Sequence, residues 1–235
     1  MTRKVAVITG GSQGIGAGLV AGYRRQGWAV VANAKTIKPS DEEDLLAVAG
    51  DISQQATADR IMNEALARFG RVDTLVNNAG VFMSKPFTEY TAADYALLTG
   101  VNLAGFFWLT QLAVTQMLTA GGGHVVNIAA TVAEYANTSA PSVLTALTKG
   151  GLAAATRSLA VEYAARGIRV NAVSPGVIQT PVHPAESYAD LGDQLPPMGR
   201  PGQVSDVVDG ILFLETSPYI TGEVLHIDGG QGAGH

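Results

Sequence analysis

Residues 4 to 33 decide the fold, and they run KVAVITGGSQGIGAGLVAGYRRQGWAVVAN. A short β-branched run near 4 to 9 is followed by a glycine-rich turn, an amphipathic stretch near 14 to 26 and a second β-branched run near 28 to 33. Short apolar runs that alternate with longer amphipathic segments are typical of parallel βαβ units. The stretch therefore predicts two parallel strands joined by a helix, with the glycines at the turn into that helix.

The same alternation continues along the rest of the chain. It predicts a Rossmann-type α/β fold, a doubly wound parallel sheet of about seven strands with helices on both faces. We expect one domain over residues 1 to 235, with a substrate lid near 181 to 199, where Pro and small polar residues dominate. The predicted strands lie near 4 to 9, 28 to 33, 46 to 50, 72 to 77, 124 to 129, 168 to 173 and 223 to 227. The predicted helices lie near 14 to 26, 53 to 69, 102 to 119, 141 to 166 and 203 to 214.

Composition limits the classes of function. The chain has a net charge of −5 and no basic stripe, so we expect no nucleic-acid partner and no membrane partner. No apolar stretch near the start has the length of a signal peptide, and there is no Cys, which fits a reducing compartment. We therefore expect a cytoplasmic protein that acts on a small molecule.

The histidines do not predict a metal site. No pair among His124, His183, His226 and His235 has the spacing of helical metal ligands. Only His183, in the predicted lid, has a position that suits a functional site. We expect no bound metal.

The turn after the first strand, Thr9 to Gly16, has the chemistry of a phosphate site. Its glycines permit a tight turn and close approach of the backbone to a pyrophosphate, and the helix that follows offers unpaired N–H groups. Three residues separate Gly10 from Gly14, where the common dinucleotide fingerprint has one. The turn alone is therefore a weak signal. The residues expected at the phosphates are Gly10, Ser12, Gln13, Gly14, Ile15 and Gly16.

Six motifs in order strengthen the assignment, because together they resemble those of the short-chain dehydrogenase/reductase family. They are TGGSQGIG at 9 to 16, GDI at 50 to 52, NNAG at 77 to 80, VN at 101 and 102, RVNAVSPG at 169 to 176 and ITGEVLHIDGG at 220 to 230. The resemblance implies a nicotinamide dinucleotide cofactor. It places Asp51 and Ile52 at the adenine, Asn78, Ala79, Gly80 and Lys149 at the ribose, and Pro175, Gly176, Ile178 and Thr180 at the nicotinamide carboxamide.

The end of the second strand indicates which cofactor is bound. Ala34 occupies the place where an NAD enzyme of this kind carries an acidic residue against the ribose hydroxyls. Lys35 and Thr36 follow and can pair with a 2′-phosphate. We therefore expect NADP(H) in preference to NAD(H). The alternative is that Lys35 is an ordinary solvated surface residue.

The catalytic positions depart from the family pattern. The family's Tyr precedes its Lys by four residues, so with Lys149 as the Lys the Tyr position holds Thr145, and the Ser position holds Ala130. An aliphatic hydroxyl is far less acidic than a phenol, so we predict that Thr145 donates a hydrogen bond to the substrate without being the proton source. Asn102 and Lys149 remain to handle ribose and a proton-relaying water.

Replacement groups lie nearby. Ser142, Thr145 and Lys149 are spaced three and four apart, which places them on one face of the predicted helix. The predicted catalytic residues are therefore Asn102, Ser142, Thr145 and Lys149. Thr131 and Tyr135 are further candidates, although Ser142 can instead serve the helix start, Thr131 can pack and Tyr135 can be a loop aromatic.

Two functional hypotheses follow. The first is an NADPH-dependent reductase of a ketone, quinone, enone or imine, and the second is a redox sensor that keeps the cofactor and has lost catalysis. In relatives, the helices corresponding to 102 to 119 and 141 to 166 pair across a dimer axis. The resemblance therefore implies a homotetramer, with a dimer as the alternative.

Overall fold

A computed structural model describes residues 3 to 180 and 195 to 234. The predicted lid therefore lies outside the described residues except for 195 to 199. His183 and His235 lie outside them as well.

Seven parallel strands form the central sheet, in the order β3-β2-β1-β4-β5-β6-β9. Their bounds are β1 (Val5–Thr9), β2 (Ala29–Ala34), β3 (Leu45–Ala49), β4 (Thr74–Asn77), β5 (Gly123–Ile128), β6 (Ile168–Pro175) and β9 (Val224–Ile227). Two short strands, β7 (Ile178–Gln179) and β8 (Gly202–Gln203), pair with each other. This order, which reverses direction next to β1, confirms the predicted doubly wound sheet.

Helices cover both faces of the sheet. They are α1 (Gly14–Arg25), α2 (Gln55–Phe69), α3 (Ala92–Leu98), α4 (Gly105–Ala120), α5 (Val143–Tyr163) and α6 (Val204–Thr216). Leu19 of α1 and Ile211 of α6 share one hydrophobic cluster. Ile61 of α2 and Leu109 of α4 share the other, which lies across the sheet. The buried strands, apolar on both faces, therefore separate two cores.

One helix was missed by the sequence pattern. The helix predicted near 102 to 119 is the second part of a helical run that begins at Ala92 and continues through a π-helical segment, Thr99–Ala104. A capping box starts the run: Thr91 Oγ1 accepts from Asp94 N at 3.2 Å, and Asp94 Oδ2 accepts from Thr91 N at 2.8 Å. Gly100 and Asn102 have low helix propensity, which hid the continuation.

The helical run Ala92–Ala120 is long and apolar enough to cross a membrane, with a mean hydropathy of 1.5. Its apolar character has another explanation in this fold. Leu109, Ala113 and Met117 are buried against α2 and the sheet. The run is therefore a core helix of the α/β domain, and part of its outer surface is apolar as well.

Candidate functional site

The carboxyl ends of the parallel strands meet along one edge of the sheet and form a cleft. Its volume is about 530 Å³. Such a crevice, at the point where the strand order reverses, is the usual ligand site of a doubly wound sheet. The sequence-predicted residues that line it are Gly10, Ser12, Gln13, Gly14, Ile15, Gly16, Lys35, Thr36, Asp51, Ile52, Asn78, Ala79, Gly80 and Thr180.

Two glycines of the turn, Gly10 and Gly16, have no room for a side chain. At Gly10, with φ +66°, a Cβ would lie 2.8 Å from Asn78 Nδ2, and at Gly16 it would collide with the carbonyl oxygen of Gly10. Helix α1 then begins without a side-chain cap and without an acidic residue in its first turn. Its first N–H groups therefore remain available for an anion, so the turn fits a pyrophosphate.

Asn78 holds this turn in place. Its Nδ2 donates to Thr9 O at 2.8 Å and to Gly10 O at 3.2 Å. Thr9 Oγ1 in turn accepts from the backbone N–H groups of Asn78 and Ala79, both at 3.0 Å. The resemblance placed Asn78 at the ribose, whereas in the structure its side chain points to the glycine turn.

The end of β2 carries no carboxylate. Ala34 is buried, and Lys35, whose side chain is 79% exposed, places its Nζ 3.1 Å from Asp51 Oδ2. Hydrogen bonds from Ser53 and, to a lesser degree, Lys35 lower the pKa of Asp51 below its usual value. Lys35 therefore lies at the cleft, where it forms an ion pair with Asp51.

Lys149 lies next to Gly80, one of the residues that line the cleft. Its Nζ donates to Ile128 O at 2.6 Å, and a Cβ placed on Gly80 would lie 2.8 Å from the same nitrogen. Only 7% of Lys149 is exposed, and this burial lowers the pKa of its ammonium to about 8. The fold therefore places a buried ammonium group with a lowered pKa beside the backbone of Gly80.

Asn102 lies in the π-helical segment, a local distortion that is frequent at functional sites. Its Nδ2 donates to Val81 O and Thr148 Oγ1, both at 3.0 Å, and its Oδ1 accepts from Val81 N at 2.8 Å. Both amide hydrogens are therefore used. The side chain of Asn102 therefore fixes the backbone at Val81. It has no amide hydrogen left for the proton-relaying water expected from the sequence.

Thr145 also differs from the sequence-based expectation. Its Oγ1 accepts from Met83 N at 3.0 Å and donates to Met83 O at 3.1 Å, and the residue is 1% exposed. A hydroxyl has one hydrogen, and here it is given to a backbone carbonyl. The predicted hydrogen bond from Thr145 to a substrate is therefore not available in this geometry.

The remaining candidates lie just before α5 and after β5. Ser142 is half-buried at the position before α5 and makes no side-chain capping bond, so the suggested capping role is also not seen. Ala130 follows β5 in extended conformation. Thr131 is buried, with contacts of 3.5 Å to Ser174 O and Asp228 Oδ2, which matches the packing alternative. Tyr135 is half-buried in the following loop.

The nicotinamide end of the predicted site is described in part. Thr180 lines the cleft opposite Gly14. Pro175 is the last residue of β6 and Gly176 follows it, with its N–H donating to Ile227 O at 3.1 Å. Ile178 lies in β7. These residues carry Thr180 to the cleft.

The described histidines lie away from the cleft. His124 contacts Glu215 at the opposite edge of the sheet, and His226 Nε2 lies 3.0 Å from Glu134 Oε2 at a partly exposed position. Within residues 3 to 180 and 195 to 234, no three His, Asp or Glu side chains are grouped to hold a metal ion.

Sequence reasoning missed several residues that shape the site. Thr9 lies within the glycine motif, but no pattern in the sequence indicated that its hydroxyl accepts from the backbone of Asn78 and Ala79. Asn33 lines the cleft, and its Nδ2 donates to Val48 O at 2.9 Å and to Gly50 O at 3.1 Å. A polar residue in an otherwise apolar buried strand was the available signal for Asn33. Val81 and Met83 act through their backbones, so no side-chain pattern marks them.

Comparison with known proteins agrees with this geometry. The family model described as enoyl-(acyl carrier protein) reductase matches residues 10 to 231. The granaticin polyketide synthase putative ketoacyl reductase 2 of Streptomyces violaceoruber is 34% identical over 96% of this chain and 95% of its own length. The solved structure of ElxO with NADP bound has a TM-score of 0.89 and 30% identity, covering 99% of this chain and 100% of that one. The 3-ketoacyl-(acyl-carrier-protein) reductase from Brucella melitensis, solved with NADH, has a TM-score of 0.85 and 30% identity over 97% and 98% of the two chains.

Proposed function

Because the chain belongs to the short-chain dehydrogenase/reductase family, whose members are NAD(P)-dependent oxidoreductases, we propose that it is an NADPH-dependent reductase of a small organic substrate with an altered proton-donor site. The observation that supports this most is the position of Lys149. Its buried Nζ lies beside Gly80, and Gly80 lines the same cleft as the glycine turn that fits a pyrophosphate. A buried cation at that place can contribute to the binding of a substrate and to its reduction by the cofactor.

The residues of the cleft fit the cofactor. The glycine turn and the uncapped start of α1 would hold the pyrophosphate, Asp51 and Ile52 the adenine, Ala79, Gly80 and Lys149 the nicotinamide ribose, and Thr180 the carboxamide. When bound, NADPH supplies a hydride. The chain's own task is to orient the substrate, exclude water and deliver a proton.

The preference for NADP(H) rests on the end of β2. Ala34 offers no negative charge to a 2′-phosphate, and Lys35 and Thr36 line the cleft next to it. The NADP in the ElxO structure supports the same choice, while the NADH in the Brucella melitensis enzyme is the competing case. A phosphate that pairs with Lys35 would replace Asp51 as its partner.

We further propose that Thr145 and Ala130 stand where relatives carry the catalytic Tyr and Ser. Loss of a general acid typically costs about 10²- to 10⁴-fold in rate, whereas positioning of two reactants can give effective molarities of about 10⁵ to 10⁸ M. Hydride transfer can therefore persist without the Tyr. Suitable substrates are ketones, quinones, activated enones and protonated imines.

A second candidate function is a cofactor-binding redox sensor without catalysis. The specific observation in its favour is that Thr145 gives its only hydroxyl hydrogen to Met83 O. The cofactor cradle in such a protein would serve recognition alone.

A screen separates the two functions. NADPH oxidation would be followed at fixed enzyme concentration against members of the four substrate classes, and NADPH and NADH affinities would be measured by fluorescence titration. We expect tighter binding of NADPH and turnover of at least one class. Tight binding of NADPH with no turnover of any class would favour the sensor, and no binding of either cofactor would contradict both.

We further propose that the chain acts in the cytoplasm as one domain over residues 1 to 235 and assembles into a homotetramer or a dimer. The assembly is supported by an exposed apolar groove of about 470 Å³ between α4 and α5, to which Phe107 and Leu159 contribute. Helix faces of this kind suit burial against a second copy.

A further inference from the structure

Reduction of a carbonyl group requires a proton as well as a hydride. We infer that the ammonium of Lys149 is itself the acid, donating from Nζ to the carbonyl oxygen of the substrate, an inference that rests on the reductase function proposed above. It assigns Lys149 a catalytic step in addition to any contact with ribose.

The neighbouring hydroxyl and amide groups are already occupied. Thr145 donates to Met83 O, and both amide hydrogens of Asn102 go to Val81 O and Thr148 Oγ1. Ala130 has no hydroxyl. Lys149 differs from these groups, because one of its three N–H bonds goes to Ile128 O and the ammonium keeps two further hydrogens.

The occupied groups are fixed by a local pattern. The segment 81 to 85 is bonded at alternate residues: Val81 to Asn102, Met83 to Thr145, and Lys85 N to Pro141 O at 2.7 Å. Tyr90 adds a hydrogen bond from its hydroxyl to Met83 O at 3.1 Å. Thr145 is therefore a positioning residue for this wall of the cleft, and giving its hydrogen to a substrate would cost its bond to Met83 O.

The surroundings of Lys149 suit an acid. Gly80, Asn102, Ile128 and the body of α5 face the ammonium, and no charged side chain of the described residues contributes to its pKa shift, which comes from burial. An acid with a pKa near 8 is largely protonated at pH 7 and still loses its proton readily. The burial that lowers the pKa of the ammonium therefore makes it a stronger acid.

The step balances as follows for a ketone. The carbonyl carbon would gain a hydride as a C–H bond of the reduced nicotinamide broke, and the C=O π bond would break. An Nζ–H bond of Lys149 would break and an O–H bond would form at the former carbonyl oxygen. The neutral amine then regains a proton from water. The products are the alcohol and the oxidised cofactor, with no further oxidant or reductant needed.

The first test compares two titrations. In the NADPH-bound protein, the pKa of Lys149 Nζ would be measured by ¹⁵N NMR, with Lys149→Arg used to assign the signal. For a substrate found by the screen, the wild-type kcat should fall about tenfold per pH unit above that same pKa. A kcat that does not change across the Nζ titration would overturn the inference.

The second test separates proton donation from ribose binding. Lys149→Ala should lower kcat by about 10²-fold or more, and added alkylamines should restore activity, the more acidic ammonium ions more effectively at equal occupancy. NADPH affinity, measured by fluorescence, should not change with the amine that is added. Lys4 lies just before the first residue of β1, at the amino edge of the sheet. Lys4→Ala therefore serves as the matched control and should behave as wild type.

The outcomes are distinct. Rescue that does not depend on the acidity of the amine would mean that Lys149 only binds ribose, which overturns the inference and leaves the reductase intact. A wild-type protein that binds NADPH but reduces none of the screened substrates overturns the reductase function, and the inference with it.

Discussion

The two edges of the sheet each bury a charged side chain, and they treat it in opposite ways. At the amino edge, Glu215 Oε2 accepts from Tyr23 Oη at 2.9 Å, Thr74 Oγ1 at 3.0 Å and His124 Nδ1 at 3.1 Å. At the carboxyl edge, Lys149 gives one described hydrogen bond, to Ile128 O. A buried charge with all its partners inside the protein serves the fold, whereas one with spare hydrogens beside a cleft is available for chemistry.

The amino-edge cluster is completed by groups that hold His124 neutral. Its Nε2 lies 3.1 Å from Asn171 Nδ2, so Nε2 accepts and Nδ1 carries the hydrogen given to Glu215. Burial lowers the pKa of His124 and outweighs the attraction of Glu215. For Glu215, burial favours a higher pKa, but the hydrogen bonds from His124, Tyr23 and Thr74 together hold the pKa below its usual value.

The strongest challenge to this comparison is removal of the carboxylate. Glu215→Ala leaves three buried polar groups without their acceptor, and breaking a buried charged network of this kind typically costs about 3 to 5 kcal/mol. We expect the free energy of unfolding, measured in urea, to fall by about that amount while NADPH affinity stays near wild type at low temperature. Glu64→Ala removes an exposed ion pair with Arg60 and serves as the control, with an expected change below about 1 kcal/mol. Equal effects of the two substitutions would contradict the structural role of Glu215.

The pH dependence of stability tests the same cluster with a smaller effect. Because the folded pKa of His124 is below its unfolded value near 6.5, the unfolded chain binds more protons at acidic pH. The stabilising contribution is complete above pH ~6.5 and is lost as the pH falls below it, at up to about 1.4 kcal/mol per pH unit. Urea unfolding between pH 7.5 and pH 5.5 would measure the slope, and His124→Asn should reduce it. An unchanged slope in His124→Asn would exclude His124 as its source.

Effects on cofactor preference are expected at the mouth of the cleft, where Lys35 is exposed. Ala34→Asp should weaken NADPH binding by about 10- to 100-fold and shift the preference toward NADH, because a carboxylate repels the 2′-phosphate and can bind the ribose hydroxyls. Lys35→Ala should weaken NADPH binding by less than about tenfold, since the lysine is exposed and already paired with Asp51. Fluorescence titration of both cofactors measures these changes. An unchanged preference in Ala34→Asp would contradict the placement of the 2′-phosphate.

The sequence allowed the sheet and the cofactor cleft to be predicted because both depend on local patterns. Alternating strands and helices determine which strand ends share an edge, and the glycine turn lies directly between β1 and α1. The roles of Thr145 and Glu215 depend instead on distant partners. Met83 is 62 residues from Thr145, and Tyr23 is 192 residues from Glu215. No local periodicity encodes such pairs, so a hydroxyl expected to face a substrate was found to bind the backbone.

The bonding of Val81 and Met83 to α4 and α5 has a consequence for motion. A loop at the wall of a cleft ordinarily moves on its own, on a nanosecond to microsecond timescale. Here the wall is anchored on one side by Asn102, just before α4, and on the other by Thr145 within α5. Displacing it would require rupture of those anchors or a shift of the two helices themselves. The inner end of the cleft is therefore preorganised, and adaptation to differently shaped substrates falls to the outer rim.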